Sequence, residues 1–346
     1  MNNIITSRIT ELAIHRVGNK ASSDEVYISK TSCLINEDLN ETLSNYFMSS
    51  FKSEEYFRLF HEKELNLNEV YNYVSDIFNN PDSLYEESVF LAKHLYEKSV
   101  HPKIKGGEFY VVYFKDCLIN GETYDAVGLF KSENKDTFLK VYLSGGGFEI
   151  ESEEGININK LDKGCLIFNT EREQGYMVAV VDNTNKGSEA KYWTDDFLGV
   201  RPRQDEYYNT QNILHLCKSF VTKEMPNEFE ISKADQAELL NNSVKFFKEN
   251  DSFDIDDFTN EVMAQPEIIE SFNRYKDDYQ QDMDIDIADS FMISDSALKK
   301  EARSFKHVIN LDKNIQILIK GNRSQIEQGE DEMGRKFYKI YYTEEE

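Results

Sequence analysis

The residues with the clearest potential for chemistry in this chain are carboxylates. Asp282, Asp284, Asp286 and Asp289 fall in QDMDIDIADS, where acidic residues at alternate positions resemble the opening of a calcium loop. With Asp282 in first place, however, Ile287 stands where the sharp turn needs glycine and Ile293 where a bidentate glutamate is required. The segment therefore reads as a solvated acidic turn. Ser144–Gly145–Gly146–Gly147 is glycine-rich, but no Lys–Ser/Thr pair follows and the next residues, FEIESEE, are acidic, so it reads as a turn and not a phosphate cradle. His15, His61, His94, His101, His215 and His307 show no HxxxH or HExxH spacing, and nucleophile-elbow, Walker and dinucleotide motifs are missing. We expect no catalytic residue, no metal ligand and no cofactor. The alternative is a metal-dependent nuclease or phosphoesterase whose carboxylates assemble from distant positions, since their abundance makes them uninformative singly.

Basic residues are scarce enough to be worth locating. Against 64 Asp and Glu stand 39 Lys and Arg, a formal charge of −25. Such a surface repels a phosphate backbone, so contact with nucleic acid would need a local basic patch or an intermediary protein. Lys186, Lys191, Arg201 and Arg203 bracket the segment around Trp193, while Lys299, Lys300, Arg303 and Lys306 form a second run. Within that run Lys299, Arg303 and Lys306 have helical spacing and could meet phosphates together. Arg323, Arg335 and Lys336 make a third group. A further reading is an acidic mimic of DNA, with Asp251 to Asp289 as the place to look.

These residues must be held by folded elements. ITELAIHRVGN alternates into a turn at Gly18–Asn19 and EVYIS alternates again, predicting an initial hairpin. Leu39, Leu43, Tyr46 or Phe47 and Phe51 recur at helical spacing, as do Leu67, Val70, Tyr71, Val74, Ile77 and Phe78. A third helix starts after Pro81, with Asp82 or Ser83 as its cap. Residues 107–183 hold five β-rich runs, EFYVVYFKDCLI, TYDAVGLFKS, TFLKVYL, GCLIFNT and GYMVAVVDN, separated by polar turns, which favours an antiparallel meander. The stretch between the third and fourth runs reads as an excursion with a short strand of its own. AKYWTDDFLGV predicts a short helix stopped by Gly199. Helical periodicity then dominates to about residue 305, including a Ser232–Asp235 capping box. HVINLDKNIQILIKG and FYKIYY return to strands.

The fold class is thus α+β: a central antiparallel β-meander with flanking helices, a mostly helical C-terminal region and a terminal β-hairpin. We expect a mixed domain over 1–200, an acidic helical region over 201–305 and a β-ribbon over 306–346 packed on one of the other two. No run approaches the roughly 18–20 apolar residues of a membrane span and the start lacks signal-peptide character, so a cytoplasmic protein without membrane contact is expected. Cys33, Cys117, Cys165 and Cys217 lie too far apart for a metal or redox pair and are expected as free thiols.

LAIHRV, FYVVYFKDCLINGETYDAVGLFKS, ININKLDKGCLIFNTEREQGYMVAVVDN, KYWTDDFLGV and HVINLDKNIQILIKG, taken in order, resemble the bacterial 37-kDa nucleoid-associated protein family. The most specific pieces are the His15 hairpin, the surroundings of Asp162 and the aromatic helix ending at Asp196–Gly199. The resemblance implies a place on the bacterial nucleoid, with the chromosome as partner either directly or through a DNA-bound protein, and a non-enzymatic role. It runs along nearly the whole chain and is weakest over the acidic helical residues 226–295, onto which no function is carried. A homodimer is one of the states the sequence leaves open.

Overall fold

The computed structural model describes residues 8–119, 121–184, 191–305, 307–312, 314–319 and 326–344. Its contacts divide the chain into two compact units, Met1–Arg203 and Gln204–Glu346. The fold is α+β, as the alternation of periods predicts.

In the first unit the strands are β1 (Arg8–Val17), β2 (Phe57–Leu59), β3 (Gly107–Ile119), β4 (Glu122–Ser132), β5 (Asp136–Ser144), β6 (Gly147–Gly155), β7 (Lys163–Phe168), β8 (Met177–Asp182) and β9 (Val200–Pro202). The helices are α1 (Glu37–Met48), α2 (Glu69–Asn79) and α3 (Leu84–Lys98). Seven strands form an antiparallel sheet in the order β1-β3-β4-β7-β8-β2-β9. Its middle strands are apolar on both faces because both are covered. Phe109, Val111 and Tyr113 of β3 face a core containing Val74, Leu91 and Trp193, whereas Tyr110, Val112 and Phe114 face a second core with Tyr46 and Phe47 of α1. Phe47 stacks on Phe130 of β4, with ring centroids 4.1 Å apart. Asn36 caps α1 and Asn68 caps α2 through their side-chain oxygens. Ser83 makes no such bond, because Pro81–Ser83 forms a 3-10 turn leading into α3.

Two expectations about pairing need correction. The opening segment is not a hairpin with residues 25–29: β1 pairs with β3 from Arg8↔Lys115 to Val17↔Gly107, leaving Tyr27 a single bridge to Arg16. β3 occupies one edge of β1, and on the other residues 25–29 pair with it at Arg16 alone, with Val26 and Ile28 packed against the first core. Likewise TFLKVYL is not a strand of the main sheet. Gly145 and Gly146 adopt φ of +58° and +89°, a two-residue turn that folds β5 back onto β6. β4 therefore pairs directly with β7, and β5–β6 is a hairpin arm of its own.

In the second unit α4 (Glu206–Ser219) runs through a π turn into α5 (Met225–Glu228), followed by α6 (Lys233–Glu249), β10 (Ser252–Asp254), α7 (Ile255–Phe258), α8 (Pro266–Met283), β11 (Ser290–Met292) and α9 (Asp295–Glu301). The Ser232–Asp235 capping box opens α6. Pro266 stands at the first turn of α8, where its missing N–H costs nothing. Phe220, Phe246, Phe247, Phe253, Phe258 and Phe272 fill the core between these helices. The tail forms two ribbons, β12 (His307–Leu311) with β13 (Ile315–Ile319) and β14 (Ile326–Glu330) with β15 (Lys336–Ile340), each pairing within itself. β10 and β11 pair over three residues, too short to leave an alternation in the sequence.

Candidate functional site

Asp162 organises the most heavily charged part of the first unit. It lies just before β7, and its carboxylate accepts from the Glu133 N–H at 2.6 Å, the Asn134 N–H at 2.8 Å and the Asn134 side-chain amide at 2.8 Å. One buried anion thus fixes the turn that follows β4. Below that turn sit two fully buried lysines. Lys131 and Lys163 are register partners on β4 and β7, and Lys163 is opposite Asp182 on β8. The sheet therefore places two like charges side by side, and Glu133 lies between them, 3.1 Å from the Lys131 Nζ and 3.5 Å from the Lys163 Nζ.

Asp182 takes a second bond from Lys163 at 3.0 Å, and Lys131 donates to the Lys105 carbonyl at 2.7 Å. Tyr192 covers the group: its hydroxyl donates to Glu133 at 2.7 Å, and both ammonium groups stand 5.5 Å from its ring centre. Burial pushes the Lys131 ammonium below its usual range against the pull of Glu133, and burial with Glu133 pushes the Tyr192 phenol up, so it keeps its proton.

Above this network opens a basin of about 520 Å³, lined by Lys103, Lys105, Lys135 and Lys160, by Glu133, Asp136 and Asp162, and by Asn134, Asn157, Asn183 and Thr184. The four lysines come from three segments: Lys103 and Lys105 from the loop after α3, Lys135 from the turn after β4 and Lys160 from the turn before β7. Lys105 donates to the Asn134 side chain at 2.7 Å, Lys135 pairs with Glu108 at 2.8 Å, and Lys160 stands 3.8 Å from Asp136. Together with the buried pair, six lysines meet Glu108, Glu133, Asp136, Asp162 and Asp182 here, a reversal of the overall charge balance.

A second cavity, of about 890 Å³, lies along β2, β9 and the π-helical turn Tyr192–Leu198. The Asn68 side-chain amide ties these together by donating to the carbonyls of Phe60, Leu198 and Gly199 at 2.9–3.1 Å. Gly199, at φ +60°, ends the turn as its sequence position predicts. His94 faces the Phe197 carbonyl with Nε2, at 3.1 Å, and Glu69 with Nδ1. The lining is mixed in sign, with Glu62, Glu69, Asp195 and Asp196 against Lys98 and Arg201.

The sequence-predicted cations are dispersed. Lys186 and Lys306 lie outside the described residues. Lys191 is exposed at the start of the π turn. Arg201 on β9 lies over the Phe60 ring at 5.1 Å and opposite Arg58 in register. Arg203 is 2.5 Å from Glu171, which also holds Arg58 at 3.0 Å. In the second unit Lys299 stands 4.0 Å from Asp295, Lys300 bonds the Tyr207 hydroxyl at 3.0 Å, and Arg303 is exposed on the 3-10 turn after α9. The lysines of the basin escaped sequence reasoning because they fall in three distant segments, none of which forms a basic run; the signal present was the Asp162 neighbourhood itself.

Among the described residues no group of three or more His, Cys, Asp and Glu side chains is disposed to hold a metal ion, and no helix is long and apolar enough to cross a membrane. The first unit thus packs an apolar core on each face of an antiparallel sheet and carries a polar basin set on buried charge. Residues 13–334 match the model of the nucleoid-associated protein YejK family, and the chain belongs to that family. No curated protein matches the chain.

Proposed function

We propose that this nucleoid-associated protein reaches the chromosome through one restricted contact, in which phosphate groups of nucleic acid meet Lys103, Lys105, Lys135 and Lys160 at the rim of the Asp162 basin. The observation that carries this is the gathering of those four lysines, from three segments, around one cavity of an otherwise strongly acidic chain. Lysine is a flexible point charge suited to phosphate without base readout, so the contact is expected to be indifferent to sequence. The buried Lys131–Glu133–Lys163 network holds the rim in place. Its role is positional, and the chemistry of the basin is binding.

Arg201 and Lys191 on the first unit, and Lys299, Lys300 and Arg303 on the second, are secondary contacts in this proposal. Arg203 joins this secondary set, its charge shared with Glu171 as that of Lys135 is with Glu108. Fluorescence anisotropy of a labelled DNA duplex tests the assignment. The Lys135→Gln, Lys160→Gln double variant should weaken binding several-fold, and Arg201→Gln should weaken it less. Equal affinities for wild type and the double variant would refute the basin as the contact and leave docking on a DNA-bound protein as the route.

A further inference from the structure

The β5–β6 arm sorts its side chains by face. Register pairs Val141 with Ile150, Leu143 with Phe148 and Leu139 with Ser152, so Leu139, Val141, Leu143, Phe148 and Ile150 share one face. All five are exposed, from 57% for Val141 to 75% for Leu143 and Phe148. The opposite face pairs Phe138 with Glu153, Lys140 with Glu151 and Tyr142 with Glu149. The Tyr142 hydroxyl donates to Glu149 and Glu151 there, and Lys140 stands 3.6 Å from Glu153. Among the described residues the arm pairs only with itself, and an isolated two-stranded hairpin is marginal in water. A bare apolar stripe on such an element calls for cover.

We propose that the cover is the same face of a second copy of this chain, the two arms stacking about a twofold axis into a four-stranded, two-layer sandwich. Charge selects this occupant. Between Leu139 and Leu143, and between Phe148 and Ser152, the stripe face carries no ionisable group, whereas Glu149, Glu151 and Glu153 all point the other way. A basic partner would be met by carboxylates on the contact face; an identical apolar face needs none. Sheets stack about 10 Å apart, so the outward carboxylates of the two copies lie more than a Debye length of about 8 Å from each other. Area sets the strength. Five side chains each exposing roughly 100 Å² bury on the order of 1,000 Å² in total, the lower bound for a specific interface, so the dimer should form in the micromolar range. An isologous contact of this kind closes on itself and does not propagate.

Sedimentation equilibrium of the full chain, at micromolar concentrations and at low and high salt, tests the proposal. The mass should rise from 40.4 kDa toward twice that value, and more so at high salt, where the mutual repulsion of two acidic chains is screened. The Leu143→Glu, Phe148→Glu double variant should remain at 40.4 kDa at all these concentrations. Glu151→Gln, on the opposite face, should dimerise like wild type. Intrinsic fluorescence of Trp193, buried in the core of the same unit, reports that the variants fold. A wild-type chain that stays monomeric at high salt overturns the proposal and assigns the stripe to another partner. Self-association unaffected by the double variant, or weakened by salt, overturns it too.

Discussion

His15 makes the stability of the first unit depend on pH in a way that can be worked out bond by bond. Its ring is buried on β1. The Ser88 hydroxyl donates to the Tyr85 carbonyl at 2.6 Å, so toward His15 it can only accept, and the Nε2–H donates to it at 2.8 Å. The Ser29 N–H donates to Nδ1 at 3.2 Å. A proton on Nδ1 would set two N–H groups against each other, so the folded state holds the neutral ring. Burial lowers the pKa from 6.5 to about 4.

The group is depressed in the folded state, so between those two values the unfolded chain binds a proton that the folded chain refuses. Stability is unaffected above the unfolded pKa and falls as pH drops from 6.5 toward 4. At about pH 5 the ratio of the two proton-binding terms gives a loss of roughly 2 kcal/mol relative to neutral pH. Urea unfolding followed by Trp193 fluorescence measures this, because that residue lies in the same core as Ala13 and Val17, which flank His15. Between about pH 7 and 5 the wild-type midpoint should fall by about 1 M. A His15→Gln variant is expected to be less stable at neutral pH but to fall by clearly less on acidification. An equal fall in both proteins would refute the argument.

Two further outcomes follow from the packing. Glu133→Gln should destabilise the first unit by about 3–5 kcal/mol, measured by the same fluorescence, because Lys131 then stays buried without a carboxylate; adding Lys131→Met should recover part of the loss. Gly175→Ala should cost about 2 kcal/mol or more in thermal unfolding, since Gly175 sits at φ +99° and a Cβ there would meet the Leu59 carbonyl oxygen at 2.0 Å, displacing β2 from the sheet. A near-neutral result in either case would contradict the stated cause.

The elements that announce themselves by a long uniform period were legible in the sequence. The helices from Asn36 to Lys98, the apolar strands over 107–119 and 163–182, the capping box at Ser232 and the glycine stop at Gly199 are all present. What the sequence left ambiguous was pairing. β1 chooses β3 across about ninety residues, and β5 abandons the sheet for β6, decisions set by burial and by two positive-φ glycines and not by local alternation. The candidate site shows the same limit. Asp162 stood out, but Lys103 and Lys105, Lys135 and Lys160 fall in three segments far apart in the chain, and only the fold brings them round one basin. The cations that did cluster in sequence, such as Arg203 and Lys300, find partners within their own unit.

The central claim is that a chain with so large an excess of acid meets the chromosome at one small lysine rim. The most direct measurement is the salt dependence of duplex affinity for wild type and for the variant with Lys103, Lys105, Lys135 and Lys160 all changed to Gln. Four phosphate contacts at the rim predict a slope of log affinity on log salt that is shallower by about 3.6 in the variant than in wild type, the remainder coming from the secondary contacts. A slope unchanged by loss of all four lysines would contradict the account.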